Sequence, residues 1–459
     1  MKFTGLVTIC ALFMGFYLLV VVLLPVYGIS VVVILLSMVF FSQGIFTLKW
    51  MLHAWENPEK TISQRSPNAF LKPSYSFSAL IPARNEEAVI GDTIKAVNNI
   101  DYPDELKEIL ILCRQDDTYT ILAVNRILDE LGKPNIKLVV FDGFPINKPH
   151  SLNIGLQNSG NQIVTVFDAE DQPHRDIYKI INTLMTHEKV DVIQSGVQLM
   201  NYRSHWFSAL NVLEYFFWFK SGLNFFSQVG NITPLGGNTV FFKKNYLELV
   251  GGWDENCLTE DADIGIRLAA IGAKLKVIYD EKHVTREETP DSTAAFIKQR
   301  TRWDQGFLQI LLKGNWTQLP QLKQKLVSLY TLSTPVIQIL FLLYFPFGVW
   351  LAANFKLPVL VSLISFVPMY IFILQILIYL IGIREFTREY KLDYSLSDSL
   401  KIIISFFPYQ IILATSSFRG LAHLLLGKNT WEKTTHINAH RNLSENFLSP
   451  LLMPKTYAG

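Results

Sequence analysis

The sequence predicts an α/β domain inserted between transmembrane helices, and three observations indicate this fold class. Of 459 residues, 50% are hydrophobic and only 17% are charged, whereas an ordinary soluble domain carries about 25% charged residues. The apolar residues are concentrated in residues 1–50 and 328–427. Between these regions, short apolar runs alternate with helical patterns, which is typical of a parallel sheet with helices on both faces.

The N-terminal segment, residues 1–50, is predicted to form two transmembrane helices. It has no charged residue or histidine between Lys2 and Lys49, which is long enough for two spans of about 20 residues each. It is also too long for the apolar core of a cleaved signal peptide, which is the alternative interpretation. Basic residues after the second helix place the following domain in the cytoplasm. They are Lys49, His53, Lys60, Arg65 and Lys72.

The middle of the chain, residues 66–312, is predicted to fold as one α/β domain. Ligands of such folds bind beyond the carboxyl ends of the strands. The polar residues that follow each strand are therefore the candidates for a functional site. The expected strands are Ser76–Ala83, Glu108–Cys113, Ile136–Phe141 and Gln162–Phe167, and the expected helices lie near 86–99, 118–131 and 149–158.

Two membrane-associated segments are predicted to follow this domain. Residues 313–327 mix Trp316 and leucines with lysines, a composition that suits a helix lying on the membrane surface. Residues 328–383 contain a single charged residue, Lys356. They are therefore predicted to form a hairpin of two transmembrane helices.

The last apolar segment, residues 398–427, contains Pro408 and Arg419. A charged side chain at the middle of a bilayer is costly. An interfacial or re-entrant helix is therefore favoured, with a transmembrane helix as the alternative. On this interpretation the C-terminal tail, residues 428–459, is cytoplasmic.

Charge and cysteine content exclude two kinds of site. The formal net charge is +2, and no basic or acidic tract indicates a nucleic-acid partner. The cysteines, Cys10, Cys113 and Cys257, are odd in number and lack the spacing of metal ligands. We therefore expect neither a disulfide framework nor a zinc site built from cysteines.

Acidic residues follow three of the predicted strands. Asn85–Glu87 follows the first strand, Asp116 and Asp117 follow the second, and Asp168–Asp171 follows the fourth. Carboxylates gathered at one sheet edge repel each other unless a cation is present, and oxygen ligands suit Mg2+ or Mn2+. For each cluster alone, a helix cap or a solvated turn is the alternative.

Two motifs further along the chain combine residue types that serve catalysis. Thr259 precedes Glu260 and Asp261, and it is also a suitable helix N-cap. Gln299, Arg302 and Trp303 are spaced i, i+3 and i+4, so they share one face of a helix. There the guanidinium is suited to bind phosphate and the indole to stack on a sugar ring, although an arginine stacked on a surface tryptophan is the alternative.

These motifs, in this order, resemble the membrane-embedded glycosyltransferases of family 2, the cellulose synthase-like and hyaluronan synthase-like enzymes. The resemblance covers nearly the whole chain and implies a glycosyltransferase A-type, Rossmann-like cytoplasmic domain. It implies that Asp168 and Glu170 bind Mg2+ or Mn2+, although Glu170 replaces the second aspartate of the family's Asp-x-Asp motif and Asp171 is a possible substitute. It also implies that Asp261 is the catalytic base, with Glu260 and Thr259 beside it.

The same resemblance assigns the remaining site residues. The donor nucleotide sugar is expected to contact Ala83, Asn85, Glu87, Asp117, Lys148, Asp168, Gln299 and Arg302. Trp303 and Gly237 are expected to contact the acceptor. Trp431 and Thr434 resemble a gating loop that closes over bound donor.

The resemblance implies inverting, processive transfer of a hexose from a UDP-sugar to a polysaccharide that is exported as it grows. The alternative is transfer of one sugar to a lipid acceptor. A nucleotide-sensing receptor or transporter is less favoured, because the predicted spans contain no carboxylate. The expected location is the plasma membrane, with membrane lipid and export or assembly subunits as partners. The aromatic run from Trp206 to Phe219 is interpreted as domain core, with an acceptor path as the alternative.

Overall fold

A seven-stranded sheet forms the centre of the middle domain. The computed structural model describes residue 15, residues 25–354 and 358–429, and residues 432 and 441. The strands of the main sheet are β1 (Phe77–Ala83), β2 (Lys107–Arg114), β3 (Ile136–Phe141), β4 (Ile163–Val166), β5 (Val192–Gln194), β7 (Val240–Lys243) and β8 (Leu275–Val277), and a separate pair is formed by β6 (Val197–Leu199) and β9 (Thr285–Glu287). The order of the main sheet is β3-β2-β1-β4-β7-β5-β8.

Helices cover both faces of this sheet. In the domain they are α3 (Ile90–Asn98), α4 (Thr118–Leu131), α5 (Lys148–Asn158), α6 (Ile177–Glu188), α7 (Ser208–Phe217), α8 (Lys244–Leu249), α9 (Glu260–Ala270) and α10 (Thr293–Lys313), after α1 (Pro25–Glu56) and α2 (Pro58–Ile62). One face packs on Ile94 and Ile181 of α3 and α6, and the other on Leu152 and Leu268 of α5 and α9. The predicted α/β class is confirmed.

Strand β7 departs from the predicted all-parallel sheet. It runs antiparallel to both of its neighbours, with Val240 paired to Val166 and to Gln194 at the carboxyl ends of β4 and β5. The chain therefore enters β7 from the carboxyl edge. This direction places the preceding loop, Gly236–Thr239, at the edge where ligands bind in such folds.

Among the residues that the structure describes, four helices are long and apolar enough to cross a membrane: Gly28–Glu56 within α1, Leu322–Gly348 within α11 (Leu322–Asn354), α12 (Val359–Glu389) and α13 (Leu396–Leu425). They indicate a membrane protein. The first of the two predicted N-terminal spans lies outside the described residues, residue 15 excepted. Helices α11 and α12 occupy the predicted hairpin.

Helix α13 is continuous through Pro408. Arg419 lies in its C-terminal third, not at its centre, and donates to Glu432 at 2.7 and 2.6 Å. The charge that argues against a span is thus paired and near a helix end, where polar groups are less costly. This geometry supports the transmembrane alternative for residues 398–427.

Residues 313–327, predicted as one interfacial helix, are not a single helix in the structure. Helix α10 ends at Lys313 because Gly314 adopts a left-handed conformation with φ of 77°, which glycine does without steric cost. A 3-10 turn follows at Asn315–Gln318, and α11 begins at Leu322, two residues after Pro320.

The middle domain is joined to the membrane helices by a shared apolar core and by partly buried charges. The core combines Met51 of α1, Phe216 of α7, Phe386 of α12 and Phe406 of α13. Beside it, Lys220 is paired with Glu385 at 2.7 Å and with Glu389. Removal of either partner would leave an unpaired charge with little access to water. These pairs therefore favour one orientation of the domain relative to the membrane helices.

Candidate active site

The first loop of the site is fixed by Asp117. Its carboxylate accepts from the backbone N–H of Asn85 at 2.6 Å and from that of Thr120 at 3.3 Å, so it caps α4 and holds the loop after β1. Asn85 has φ of 51°, a conformation that asparagine tolerates better than most residues. Glu86 lines the site cavity, whereas Glu87 is exposed.

The acidic segment after β4 lies over a buried network. Asp171 accepts from the backbone N–H of Asp168 at 2.8 Å, and Asn238 donates to both Asp171 and Glu287. Burial and the neighbouring carboxylates raise the pKa of Asp171 and of Glu287. Asp171 is thus used inside the protein, which leaves Asp168 and Glu170 on the cavity wall.

Lys148 provides a positive charge beside these acids. Its ammonium lies 2.5 Å from Asp168 Oδ1 and donates to the carbonyl of Gly237 at 2.9 Å. Burial alone would lower the pKa of Lys148, but the carboxylates of Asp168, Glu260 and Asp261 raise it. A Cβ atom on Gly237 would lie 3.3 Å from both Lys148 Nζ and Asp261 Oδ2, so the missing side chain lets these two groups approach.

The second pair of acids begins α9. Burial raises the pKa of both Glu260 and Asp261, and the negative charge of Asp261 raises that of Glu260 further. Arg302 lies close enough that both acids and Asp168 act on its charge. Thr259 occupies the N-cap position, but its side chain makes no capping hydrogen bond.

Helix α10 presents the Gln-x-x-Arg-Trp face to the same space. Gln299, Arg302 and Trp303 all line the cavity. The Arg300 guanidinium lies 4.6 Å from the Trp303 ring centroid and is paired with Glu214. Tyr409 of α13 donates to the same carboxylate at 2.6 Å. The indole is therefore held by contacts that reach a membrane helix.

One cavity of about 770 Å3 connects this site to the space between the membrane helices. Tyr215, Trp218 and Phe219 form part of its wall, whereas Phe207 and Phe216 are core residues. The aromatic run from Trp206 to Phe219 therefore contributes both to the domain core and to the cavity wall. Polar side chains line the part of the cavity that lies between the membrane helices. They are Gln43, Thr47, Thr331, Thr334, Gln338, Gln375 and Gln410.

The structure brings most of the predicted site residues to this cavity. They are Ala83, Asn85, Lys148, Asp168, Glu170, Gly237, Thr259, Glu260, Asp261, Gln299, Arg302 and Trp303. Glu87 and Asp117 are not on its wall: Glu87 is turned to solvent, and Asp117 is used as a cap. Trp431 and Thr434 lie outside the described residues.

Sequence reasoning missed several charged residues on the wall, among them two acids and one ion pair. Glu287 ends a three-residue strand and Glu288 follows it, and Glu214 and Arg300 link α7 to α10. The adjacent acids at 287 and 288 are a fourth acidic cluster, but β9 is too short to be recognised by periodicity.

The donor atoms present fit a divalent metal ion. Two carboxylates, Asp168 and Glu170, lie on the cavity wall, and the pKa values of the acids beneath them, Asp171 and Glu287, are raised by burial and by neighbouring carboxylates. Mg2+ is commonly held by one or two carboxylates together with substrate phosphates, and oxygen ligands also suit Mn2+.

Comparison with known families gives a consistent result. Residues 73–306, just over half of the chain, match the model of the family described as "Glycosyltransferase like family 2". The mannosyltransferase PcManGT from Pyrobaculum calidifontis, solved in complex with GDP-Man and Mn2+, superposes with a TM-score of 0.51 at 17% identity, covering 87% of this chain and 99% of that one. These matches confirm the glycosyltransferase A-like fold.

Curated relatives extend the comparison beyond the domain. The probable glycosyltransferase YdaM of Bacillus subtilis is 26% identical over 80% of this chain and 88% of its own length. The beta-monoglucosyldiacylglycerol synthase of Nostoc sp. is 30% identical, covering 50% of this chain and 49% of the relative. The poly-beta-1,6-N-acetyl-D-glucosamine synthase of Staphylococcus epidermidis is 27% identical, covering 56% and 59%.

Proposed function

Because the chain belongs to the family 2 glycosyltransferases, we propose that it transfers a hexose from a UDP-sugar to a growing polysaccharide, with inversion at the anomeric carbon. Transfer takes place at the cytoplasmic face of the plasma membrane and is coupled to export of the product. Export or assembly subunits are the expected partners, by the same family resemblance.

The observation that carries this proposal is the continuity of the cavity. The space beside Asp261 and Trp303 extends between α1, α11, α12 and α13. A hydrophilic polymer cannot cross lipid unaided, since each unsatisfied polar group costs several kcal/mol in hydrocarbon. The polar side chains that line the membrane part of the cavity offer hydrogen bonds to sugar hydroxyls.

In the proposed mechanism, Asp261 removes the proton of the acceptor hydroxyl. The acceptor oxygen bonds to the anomeric carbon while the bond from that carbon to the diphosphate breaks. Glu260 lies next to the base, and Arg302 faces both acids. A positioned general base contributes roughly 10²–10⁴-fold to rate.

The leaving diphosphate gains negative charge, and Lys148 and Arg302 are placed to stabilise it. Preorganised cations act strongly in a cavity that excludes water. Asp168 and Glu170 would hold Mg2+ or Mn2+, and such an ion neutralises charge on phosphate oxygens. Trp303 offers its indole to the terminal sugar of the acceptor.

Transfer of a single sugar to a lipid is the second candidate. It is favoured by the 30% identity to a beta-monoglucosyldiacylglycerol synthase, and a cavity that reaches the membrane helices also suits a lipid acceptor. The similarity to a poly-beta-1,6-N-acetyl-D-glucosamine synthase favours the processive reaction instead.

Product analysis separates these functions. Purified full-length protein in lipid is incubated with a panel of UDP-sugars and GDP-mannose in the presence of Mg2+ or Mn2+, and released nucleotide and product size are measured. Long polymer supports processive transfer, and a single-sugar glycolipid supports the lipid acceptor. Binding of a donor without its consumption would instead indicate a nucleotide-sensing protein.

The base assignment has its own test. Asp261→Asn removes the proton acceptor while preserving the size of the side chain, so we expect transfer to fall by roughly 10²–10⁴-fold with nearly unchanged UDP binding. Turnover close to that of the wild type would overturn the assignment.

A further inference from the structure

A second group of metal-ligand side chains lies outside the catalytic cavity. One ligand atom from each of His174, Asp176 and His283 lies within 4.8 Å of the other two. His174 and Asp176 come from the segment between β4 and α6, and His283 comes from the turn before β9. None of the three lines the cavity that contains Asp168 and Glu170.

The side chains of this group make few hydrogen bonds within the protein. His283 Nδ1 is buried and makes no hydrogen bond of acceptable geometry, although Asp280 Oδ2 lies 3.3 Å away. Asp176 occupies the N-cap position of α6 but makes no capping bond. One Asp176 oxygen lies 3.4 Å from Lys179, and the other faces His174 Nδ1 at 3.9 Å.

The two imidazole rings pack against each other, edge to face, with centroids 4.6 Å apart. Burial and, to a smaller extent, the neighbouring His283 lower the pKa of His174 to about 4. His174 is therefore neutral at physiological pH, the form in which histidine binds metals. In this arrangement His174 Nδ1 accepts from the backbone N–H of Asp176 at 3.1 Å, and an ion bound at Nδ1 would replace that contact.

We propose that His174, Asp176 and His283 bind a divalent transition-metal ion of the zinc type, with Asp280 as a further oxygen ligand. Imidazole suits zinc, copper and nickel, whereas Mg2+ prefers oxygen. Ligand atoms of one zinc ion lie roughly 3.3 Å apart, given bonds of about 2.0–2.2 Å in a tetrahedron. Small side-chain rotations would close the present separations.

Such an ion would fasten two segments that carry active-site acids. The segment with His174 begins at Asp168, and the turn with His283 leads into Glu287. The backbones of Gln172 and Arg286 already pair between them, at 3.2 and 3.1 Å. The proposed ion is therefore structural, and its binding does not depend on the proposed transferase function.

Metal retention tests the proposal. Full-length protein in detergent is stripped with chelator, dialysed against zinc with excess Mg2+ to occupy oxygen sites, and analysed for bound zinc. We expect about one zinc per wild-type chain and loss of that zinc in His174→Ala and in His283→Gln. His187→Ala, which removes an exposed histidine at the end of α6, is the matched control and should retain it.

Two further measurements complete the test. Zinc should raise the melting temperature of wild type and of His187→Ala but not of the two cluster variants, provided that all four melt cooperatively without zinc. Asp168→Asn should still retain the ion. Equal zinc in wild type and cluster variants, or loss of zinc in Asp168→Asn, would overturn the proposal.

Discussion

Gly237 shows how a missing side chain sets the distance between two opposite charges. A Cβ at this position would contact both Lys148 Nζ and Asp261 Oδ2 at 3.3 Å, closer than most real Cβ contacts. The glycine thus lets the Lys148 ammonium lie close both to Asp168, the first acid of the predicted metal motif, and to Asp261, the proposed base. This proximity limits the pKa rise that burial alone would impose on Asp261.

The acid limb of the pH profile is the first prediction at this scale. If Asp261 must be deprotonated to act, kcat/KM should rise with pH through the pKa of the free enzyme's base. Burial raises that pKa above the usual aspartate value of about 3.9. The ammonium of Lys148 lowers it, so Lys148→Met, which removes this positive charge, should raise the pKa of Asp261.

We therefore expect the acid limb of Lys148→Met to lie at higher pH than that of wild type, whatever the height of the plateau. The measurement is kcat/KM against pH at saturating metal ion. Glu248→Gln, an exposed acid on α8, should leave the limb in place. A limb that stays fixed or moves to lower pH in Lys148→Met would contradict the assignment.

Trp303 gives a second prediction. Its indole lines the cavity and is held by Arg300. Because burial of apolar area stabilises by about 25 cal/mol per Å2, covering roughly 50 Å2 of a sugar face with the indole is worth about 1.3 kcal/mol. Trp303→Ala should therefore weaken acceptor binding about tenfold and shorten the product. UDP-sugar binding should stay close to wild type.

Product length by gel or chromatography and the acceptor KM are the readouts for this change. Trp206→Ala, which removes an exposed tryptophan off the cavity, is the control. Unshortened product from Trp303→Ala would exclude an acceptor role for the indole.

The residues that sequence reasoning placed well are those whose roles need only a position after a strand or on a helix face. Gln299, Arg302 and Trp303 meet because helical spacing fixes their common face. Asp117 was less accessible to this reasoning, because a carboxylate at a strand end serves equally as a ligand contact or as a helix cap. The amide of Asn85, brought in by the fold, shows that Asp117 serves as a cap in this structure, and its contact with the nucleotide stays a prediction.

At the scale of elements, the contact of α10 with the start of α9 determines the geometry of the site. A Cβ on Gly306 would lie 2.3 Å from Thr259 Oγ1 and 2.7 Å from its backbone nitrogen. On the other side of α10, a Cβ on Gly420 of α13 would lie 3.0 Å from the carbonyl of Thr301. Two glycines thus let α10 pack closely between the catalytic acids and a membrane helix.

Gly306→Ala should therefore separate α10 from α9. The added methyl meets backbone, which cannot rotate away, so we expect a stability loss of about 1–3 kcal/mol and a fall in turnover, since Arg302 and Trp303 move relative to Asp261. Thermal unfolding and kcat measure the two effects.

The control for this prediction is Gly348→Ala. Gly348 is also helical, and no heavy atom lies within 4 Å of its Cβ position. This substitution should leave turnover unchanged. Wild-type turnover in Gly306→Ala would mean that the α9–α10 contact does not set the catalytic geometry.

Element type was predictable where local periodicity is strong, as in β3, whose predicted and observed bounds agree at Ile136–Phe141. Strand direction was not. β7 is antiparallel because the chain returns along the carboxyl edge before entering it, a tertiary constraint with no local pattern. For α13, Arg419 argued against a transmembrane helix, because its partner, Glu432, follows thirteen residues later and is not evident from the local sequence.

At the scale of the whole molecule, the domain and the membrane helices form one structure around one cavity. Partly buried polar contacts, such as Lys220 with Glu385 and Tyr409 of α13 with Glu214, join the two parts. Composition predicted a soluble domain between apolar segments. It could not predict this continuity, since the wall combines residues as distant in sequence as Gln43 and Gln410.

This continuity leads to the last prediction. Gln375 of α12 lines the membrane part of the cavity, and the adjacent Leu374 is exposed on the outside of the helix. Gln375→Trp adds bulk to the passage far from Asp261, whereas Leu374→Trp adds the same bulk outside it. If the product leaves through this passage, Gln375→Trp should reduce the yield of long polymer while release of UDP during the first additions continues. Leu374→Trp should give wild-type product, and full-length polymer at wild-type yield from Gln375→Trp would show that the product leaves by another route.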